Sequence, residues 1–362
     1  MQKRLFQRGI MLFLIGFLIA TNFLLNVHGY SEEKAIGQVS DFKSTTFIDW
    51  ANLSNPILSK PDRMLKDQAV VYYDGYFYIF SSTRFENNDT GNKNVFYRTQ
   101  DFKTYKEIFD ENIADGGSPD IIKVGETFYM IFQCSISSDD SNMQRLFYST
   151  STNLINWSKS KEIATDLQPF MRHIDGALAY ENGYFYLGYK GWQTFFVTKS
   201  VNKQLDGNWL RAKWSWAGGP FNWAENYQFT KIDGVWHMIA TSKPVFNNFF
   251  ELIKILLHEL FHPYVGNHEP YLYTMDVSED SFKNWARWVN KTHLNVPGED
   301  WNQLMIANSA YLCDWREYDG YFYLFYAGAN DWYRFEERGH CKIGVVRSTD
   351  LKNWYLPGDM SY

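Results

Sequence analysis

The chain has 362 residues, 45% of them hydrophobic, enough to enclose a sizeable core, and a formal net charge of -6 with no cluster of Lys and Arg, which argues against nucleic acid as a partner. Three cysteines, Cys134, Cys313 and Cys341, are too few for a disulfide scaffold; Cys313 and Cys341 are the pair expected to bond if one forms in an oxidising compartment. Aromatic residues make up 19% of the chain, which directs attention to strands and to flat binding surfaces.

Residues 1–29 place Lys3, Arg4 and Arg8 ahead of an apolar stretch, Ile10 to Val27, that closes on Val27-His28-Gly29. This is the pattern of a signal peptide, and the stretch is also long enough to stay as an uncleaved membrane anchor. Both readings put the rest of the chain outside the cytoplasm, secreted or anchored. Residues 30–60 read as an N-terminal flank.

From residue 61 to about 360 one phrase recurs. LKDQAVVYYDGYFYIFSST, starting at Leu65, reads as two apolar strands joined by the hairpin signal Asp74-Gly75. It returns around Gly125, Gly183, Gly234 and Gly320, so five copies are present, with gaps of 50, 58, 51 and 86 residues. A companion phrase follows each copy, such as YRTQDFKTYKEI from Tyr97 and VVRSTDLKNWYLP from Val345: a strand, a polar turn and an aromatic that begins a further strand. Four strands per unit and a fixed period predict an all-β fold, a five-bladed β-propeller. A β-sandwich would not make the companion recur in phase with the first phrase.

The long fourth gap holds an insertion, about 244–270, with the apolar density of a short helix from Asn248 to about Phe261 in the fourth blade. It contains His258-Glu259-Leu260-Phe261-His262, the HExxH pattern of zinc peptidases, with His268 as a third candidate ligand. Pro263 forces the residue before it out of helical geometry, and strand phrases close in on both sides, so the preferred reading is a decorating helix with exposed histidines. A zinc metallopeptidase using His258, Glu259 and His262 stays as the lesser alternative.

In a propeller the innermost strand of each blade starts at one mouth. Asp67 and Asp175 each stand eight residues before their turn glycine and Glu225 stands nine before, so the three carboxylates are expected to converge there. Such a cluster raises the proton affinity of its members and is kept for acid–base work or a metal. Asp120, five before Gly125, is a fourth candidate, for substrate contact. Trp192, Trp214, Trp216, Trp223, Trp301 and Trp332 fall in loops, where flat faces suit sugar rings; Trp192 and Trp223 are the chosen substrate contacts.

The segments LKDQAVVYYDG, HIDGALAYENG and WAENYQFTKIDG, in this order and spacing, resemble the active-site segments of the five-bladed propeller glycosidases, glycoside hydrolase families 43 and 62. SPDII from Ser118 and STDLKNW from Ser348 are similar to further segments of family 43, and the likeness runs from about Pro61 to Pro357. The resemblance implies that Asp67 is a general base, Glu225 a general acid and Asp175 the group that orients the acid and raises its pKa, with Lys66 touching a sugar hydroxyl. It implies an inverting mechanism, for which the base and acid stand about 6.5 to 9.5 Å apart. Many relatives hold a structural calcium with a fifth-blade histidine; here Asn308-Ser309-Ala310 occupies that place, so the expectation is that no cofactor is required, with a channel calcium held by Asn308 or water as the lesser alternative. The expectation is a monomeric enzyme that releases arabinofuranosyl or xylosyl units from cell-wall polysaccharide such as arabinoxylan or arabinan. A sugar-binding propeller without catalysis is the alternative.

Overall fold

The computed structural model describes residues 47–85, 93–135, 144–163, 172–191, 194–215, 224–242, 269–277, 281–303, 305–330 and 340–359. Residues 1–29, the insertion helix with its His258, Glu259, His262 and His268, and Trp192, Trp216, Trp223 and Trp332 lie outside the described residues.

Five antiparallel four-stranded sheets form the blades. The short strand β1 (Leu58–Ser59) precedes blade I, which is β2 (Arg63–Tyr73), β3 (Tyr76–Phe85), β4 (Lys93–Thr99) and β5 (Lys106–Ile108). Blade II is β6 (Gly117–Val124), β7 (Thr127–Ser135), β8 (Gln144–Ser151) and β9 (Lys161–Glu162), and blade III is β10 (His173–Glu181), β11 (Tyr184–Gly191), β12 (Thr194–Lys199) and β13 (Lys213–Trp214). Blade IV is β14 (Glu225–Ile232), β15 (Val235–Ser242), β16 (Glu269–Met275) and β17 (Trp288–His293), and blade V contains β18 (Met305–Asp314), β19 (Phe322–Ala329) and β20 (Lys342–Ser348). Neighbouring first strands pack in the order β2, β6, β10, β14, β18, and β18 returns to β2, which closes the ring.

The fourth strand of blade V comes from the other end of the chain: Leu58 and Ser59 of β1 pair with Ile343 and Lys342. The segment after Trp354, expected to supply that strand, makes a single bridge, Tyr355 to Arg347. Residues assigned to a flank thus fasten the ring, and β1 covers an edge that β20 would otherwise leave unpaired.

The recurring phrases have local causes. Asp74-Gly75, Asn182-Gly183 and Asp233-Gly234 all have positive φ at both positions, 50° and 76° in the first, the two-residue turn whose twist matches a hairpin. In the companion turns a hydroxyl and a carboxylate or amide oxygen collect backbone N–H groups. Ser348 Oγ accepts from Leu351 N at 2.9 Å and Asp350 Oδ1 from Asn353 N at 2.8 Å; Thr99 with Asp101 and Ser151 with Asn153 do the same.

Most aromatics fill the gaps between blades. Tyr186 stacks on Trp285 at 4.2 Å, joining blades III and IV, and within blade IV Phe229 stacks on Trp288 at 5.3 Å. Trp301 stacks on Tyr326 at 5.8 Å and lies against Gly328 and Gly344, so it packs rather than binds. Trp214 is 46% exposed but sits on β13, the outer strand of its blade, away from the mouth.

The cysteines are free. Cys313 lies opposite Tyr323, which lies opposite Arg347, six residues along the chain from Cys341. At about 3.3 Å per residue the two thiols are roughly 20 Å apart, beyond any disulfide, and the pairing expected from sequence is corrected.

Candidate active site

Each innermost strand carries a bulge at one height. The register slips between Lys66 and Ala69, Gly117 and Asp120, Ile174 and Ala177, Glu225 and Gln228, and Asn308 and Tyr311. At each slip one residue takes a left-handed conformation: Asp67 (φ 51°), Ser118 (48°), Asp175 (51°), Asn226 (52°) and Ser309 (52°). Asp and Asn tolerate this region better than most residues, and a bulge re-aims its side chain. The five residues line one narrow opening.

Asp67 and Asp175 therefore meet, as their equal offsets predict. Glu225 does not share their position. The residue equivalent to them in blade IV is Asn226, and Glu225 stands one place earlier, level with Lys66. Its carboxylate is 38% exposed at the rim, whereas the side chain of Asp67 is 3% exposed. Asp120 lies two places deeper. Its Oδ2 accepts from Leu178 N at 2.7 Å, the Tyr311 hydroxyl nearby donates to Ile121 O at 3.3 Å, and Asp120 itself is buried. Its expected role as a substrate contact is corrected: the bulge ends before it, so it ties blades II, III and V together.

The carboxylate of Asp67 is surrounded by donors. Asn226 Nδ2 and Ser309 Oγ both reach Oδ1 at 2.7 Å, Ser118 Oγ lies 3.2 Å from Oδ2, and Lys66 Nζ lies 3.4 Å from Oδ2. Asp67 in turn raises the pKa of Lys66, with smaller pushes from Glu225 and Asp175. Asp175 is 5% exposed and its pKa is pushed up to about 6, by burial first and then by the charge of Glu225, against the pull of Lys190. Lys190 is a component that sequence reading missed. It is buried, opposite Ile174 on β11, and its Nζ lies 2.6 Å from Glu225 Oε1. Ser118, Asn226 and Ser309 were also missed; the signal that could have found them is the shared bulge position.

Beneath this layer, Gln228 donates to Leu312 O and accepts from Leu312 N, both at 2.8 Å, and Gln68 Nε2 donates to Phe325 O at 2.9 Å. These amides fasten the floor.

The donor set does not fit the calcium implied by the family likeness. In the fifth blade Asn308 Nδ2 lies 3.9 Å from the thioether of Met305 and Ser309 faces Asp67; among the described residues no group of three His, Cys, Asp or Glu side chains converges to hold an ion.

No protein-family model matches the chain, and no curated protein matches it. Solved structures do share its fold. A family 43 glycoside hydrolase of Bacillus licheniformis is similar with a TM-score of 0.54 and 13% identity over 84% of this chain, which spans only 56% of that protein. The catalytic domain of a family 62 α-L-arabinofuranosidase of Coprinopsis cinerea is similar with a TM-score of 0.58 and 12% identity, over 82% of this chain and 96% of that one. An α-L-arabinofuranosidase of Lactobacillus brevis gives 0.56 and 12%, over 85% and 98%. The fold is thus that of the five-bladed glycosidase propellers.

Proposed function

We propose that the protein is an inverting glycoside hydrolase that removes arabinofuranosyl, or xylosyl, units from a cell-wall polysaccharide such as arabinoxylan or arabinan outside the cytoplasm. The observation that carries this reading is a set of unlike carboxylates: Asp67 buried among four donors, and Glu225, one register position from the equivalent place in blade IV, 38% exposed and acting on the charge of Asp175. The fold shared with propeller glycosidases supports it.

A general base must be placed to accept a proton from the attacking water. Asp67 takes a proton from water as the water oxygen bonds to the anomeric carbon. The bond from that carbon to the leaving oxygen breaks on the opposite face, and Glu225 delivers a proton to the departing oxygen. Asp175 and Glu225 repel as anions, which raises the affinity of the pair for one proton. Lys66, half-buried beside Asp67, is placed to meet a sugar hydroxyl.

Hydrolysis of arabinoxylan, arabinan and xylo-oligosaccharides, followed by proton NMR of the first anomer released, tests the reading. Inverted product is expected, and kcat/KM should fall about a hundredfold to ten-thousandfold in Asp67→Ala and Glu225→Ala. A retained product, or saccharide binding with no hydrolysis, overturns it.

A further inference from the structure

The Ser118 hydroxyl lies 3.2 Å from Asp67 Oδ2 and 3.1 Å from Asp175 Oδ1. One hydroxyl has one proton to give. If both carboxyls were ionised, one of these oxygen pairs would face each other with no proton between them, at the cost of a buried lone-pair contact.

The two carboxyls are not equally supplied. Asp67 has Asn226, Ser309 and Lys66 as further donors, whereas among the described residues the Asp175 carboxyl meets the Ser118 hydroxyl alone; the Asp175 backbone N–H is taken by Gln133 Oε1. Lys190, the cation that could balance a charge on Asp175, is engaged with Glu225 at 2.6 Å. Other ionisable groups around the pair are Lys66 on β2, and Glu225 and Tyr227 on β14, the Tyr227 hydroxyl being occupied by Ala224 O. Strands β6 and β18 present only neutral Ser118, Asn308 and Ser309 at this height.

We propose that in the free protein the proton shared by Asp175 and Glu225 rests on Asp175, and that Ser118 holds it there by accepting from Asp175 while donating to Asp67. Ser118 is a positioning residue, acting through the two carboxyls. For turnover the inference rests on the glycosidase reading and gives it a closed proton cycle. The proton shared by Asp175 and Glu225 leaves through Glu225 to the departing oxygen; the proton taken from water arrives on Asp67. Asp67 then donates to Ser118 Oγ as Ser118 gives its own proton to Asp175, and the starting state returns with no external acid or base.

Carbon-13 NMR titration of labelled aspartate and glutamate carboxyls in the ligand-free protein, with Asp175→Asn for assignment, tests the placement. Asp175 should protonate with a midpoint near 6. In Ser118→Ala the Asp175 midpoint should fall by about one pH unit, since its protonated form loses an acceptor. In Lys190→Met the proton should move to Glu225, whose midpoint rises as that of Asp175 falls; this second variant serves if Ser118→Ala does not fold. Asp175 ionised down to pH about 4 in the wild type, or unchanged midpoints in the folded variants, overturns the proposal. Because the titration needs no substrate, these midpoints in a protein that hydrolyses no glycoside would sink the functional reading alone, and hydrolysis with Asp175 ionised would sink this one alone.

Discussion

Asp120 offers a measurement of what burial costs a carboxylate in the channel. It is 3% exposed, and its pKa is pushed up to about 7 by burial, against bonds from Leu178 N, Ile121 N and Tyr311. An unfolded aspartate titrates near 3.8. The folded protein thus binds the Asp120 proton more tightly than the unfolded chain, so this contribution to stability is complete below pH about 4 and is lost as pH rises to about 7. The difference corresponds to about 4 kcal/mol at full strength, and about 2 to 4 kcal/mol after local relaxation. Asp120→Asn keeps the shape and an oxygen for Leu178 N, and removes the charge. Thermal unfolding should therefore show near-equal stability of variant and wild type at pH 4 and a variant several degrees more stable at pH 8, at about 2 °C per kcal/mol for a domain of this size. A pH-independent difference, or a less stable variant at pH 8, would refute the assignment of a buried carboxylate whose charge no cation balances among the described residues.

Gln228→Ala leaves both Leu312 N and Leu312 O without their partner in a buried layer, and should cost about 2 to 4 kcal/mol in denaturant unfolding with an unchanged slope. A chain beginning at Pro61 lacks β1 and the buried Trp50, Ile57 and Leu58, and should melt well below a chain beginning at Phe47 and aggregate through the bared edge of β20, as light scattering would detect.

Much of the ring was legible in the chain because its parts are local. Asp74-Gly75 closes its hairpin, and Ser348 with Asp350 closes its turn, through contacts within a few residues, so repetition of the letters is repetition of the structure. The convergence of Asp67 and Asp175 was legible for the same reason: each lies eight residues before an identical type of turn.

Counting from the turn glycine fails where the turns differ. Ser118 stands seven residues before Gly125, and Ser309 stands eleven before Gly320 because a helical turn, α1 (Arg316–Asp319), is inserted ahead of that glycine. In blade IV the count works but the chemistry misleads, since the bulge position holds neutral Asn226 and the carboxylate stands beside it. Lys190 carries no signal at all, because it reaches Glu225 from a second strand of another blade. The sequence alone determined the blades, their turns and the chemical types gathered near the mouth. Which of those groups face each other, and that Leu58 and Ser59 lock the ring, was decided only by closure, because closure brings together residues whose separation along the chain carries no record of their distance in space.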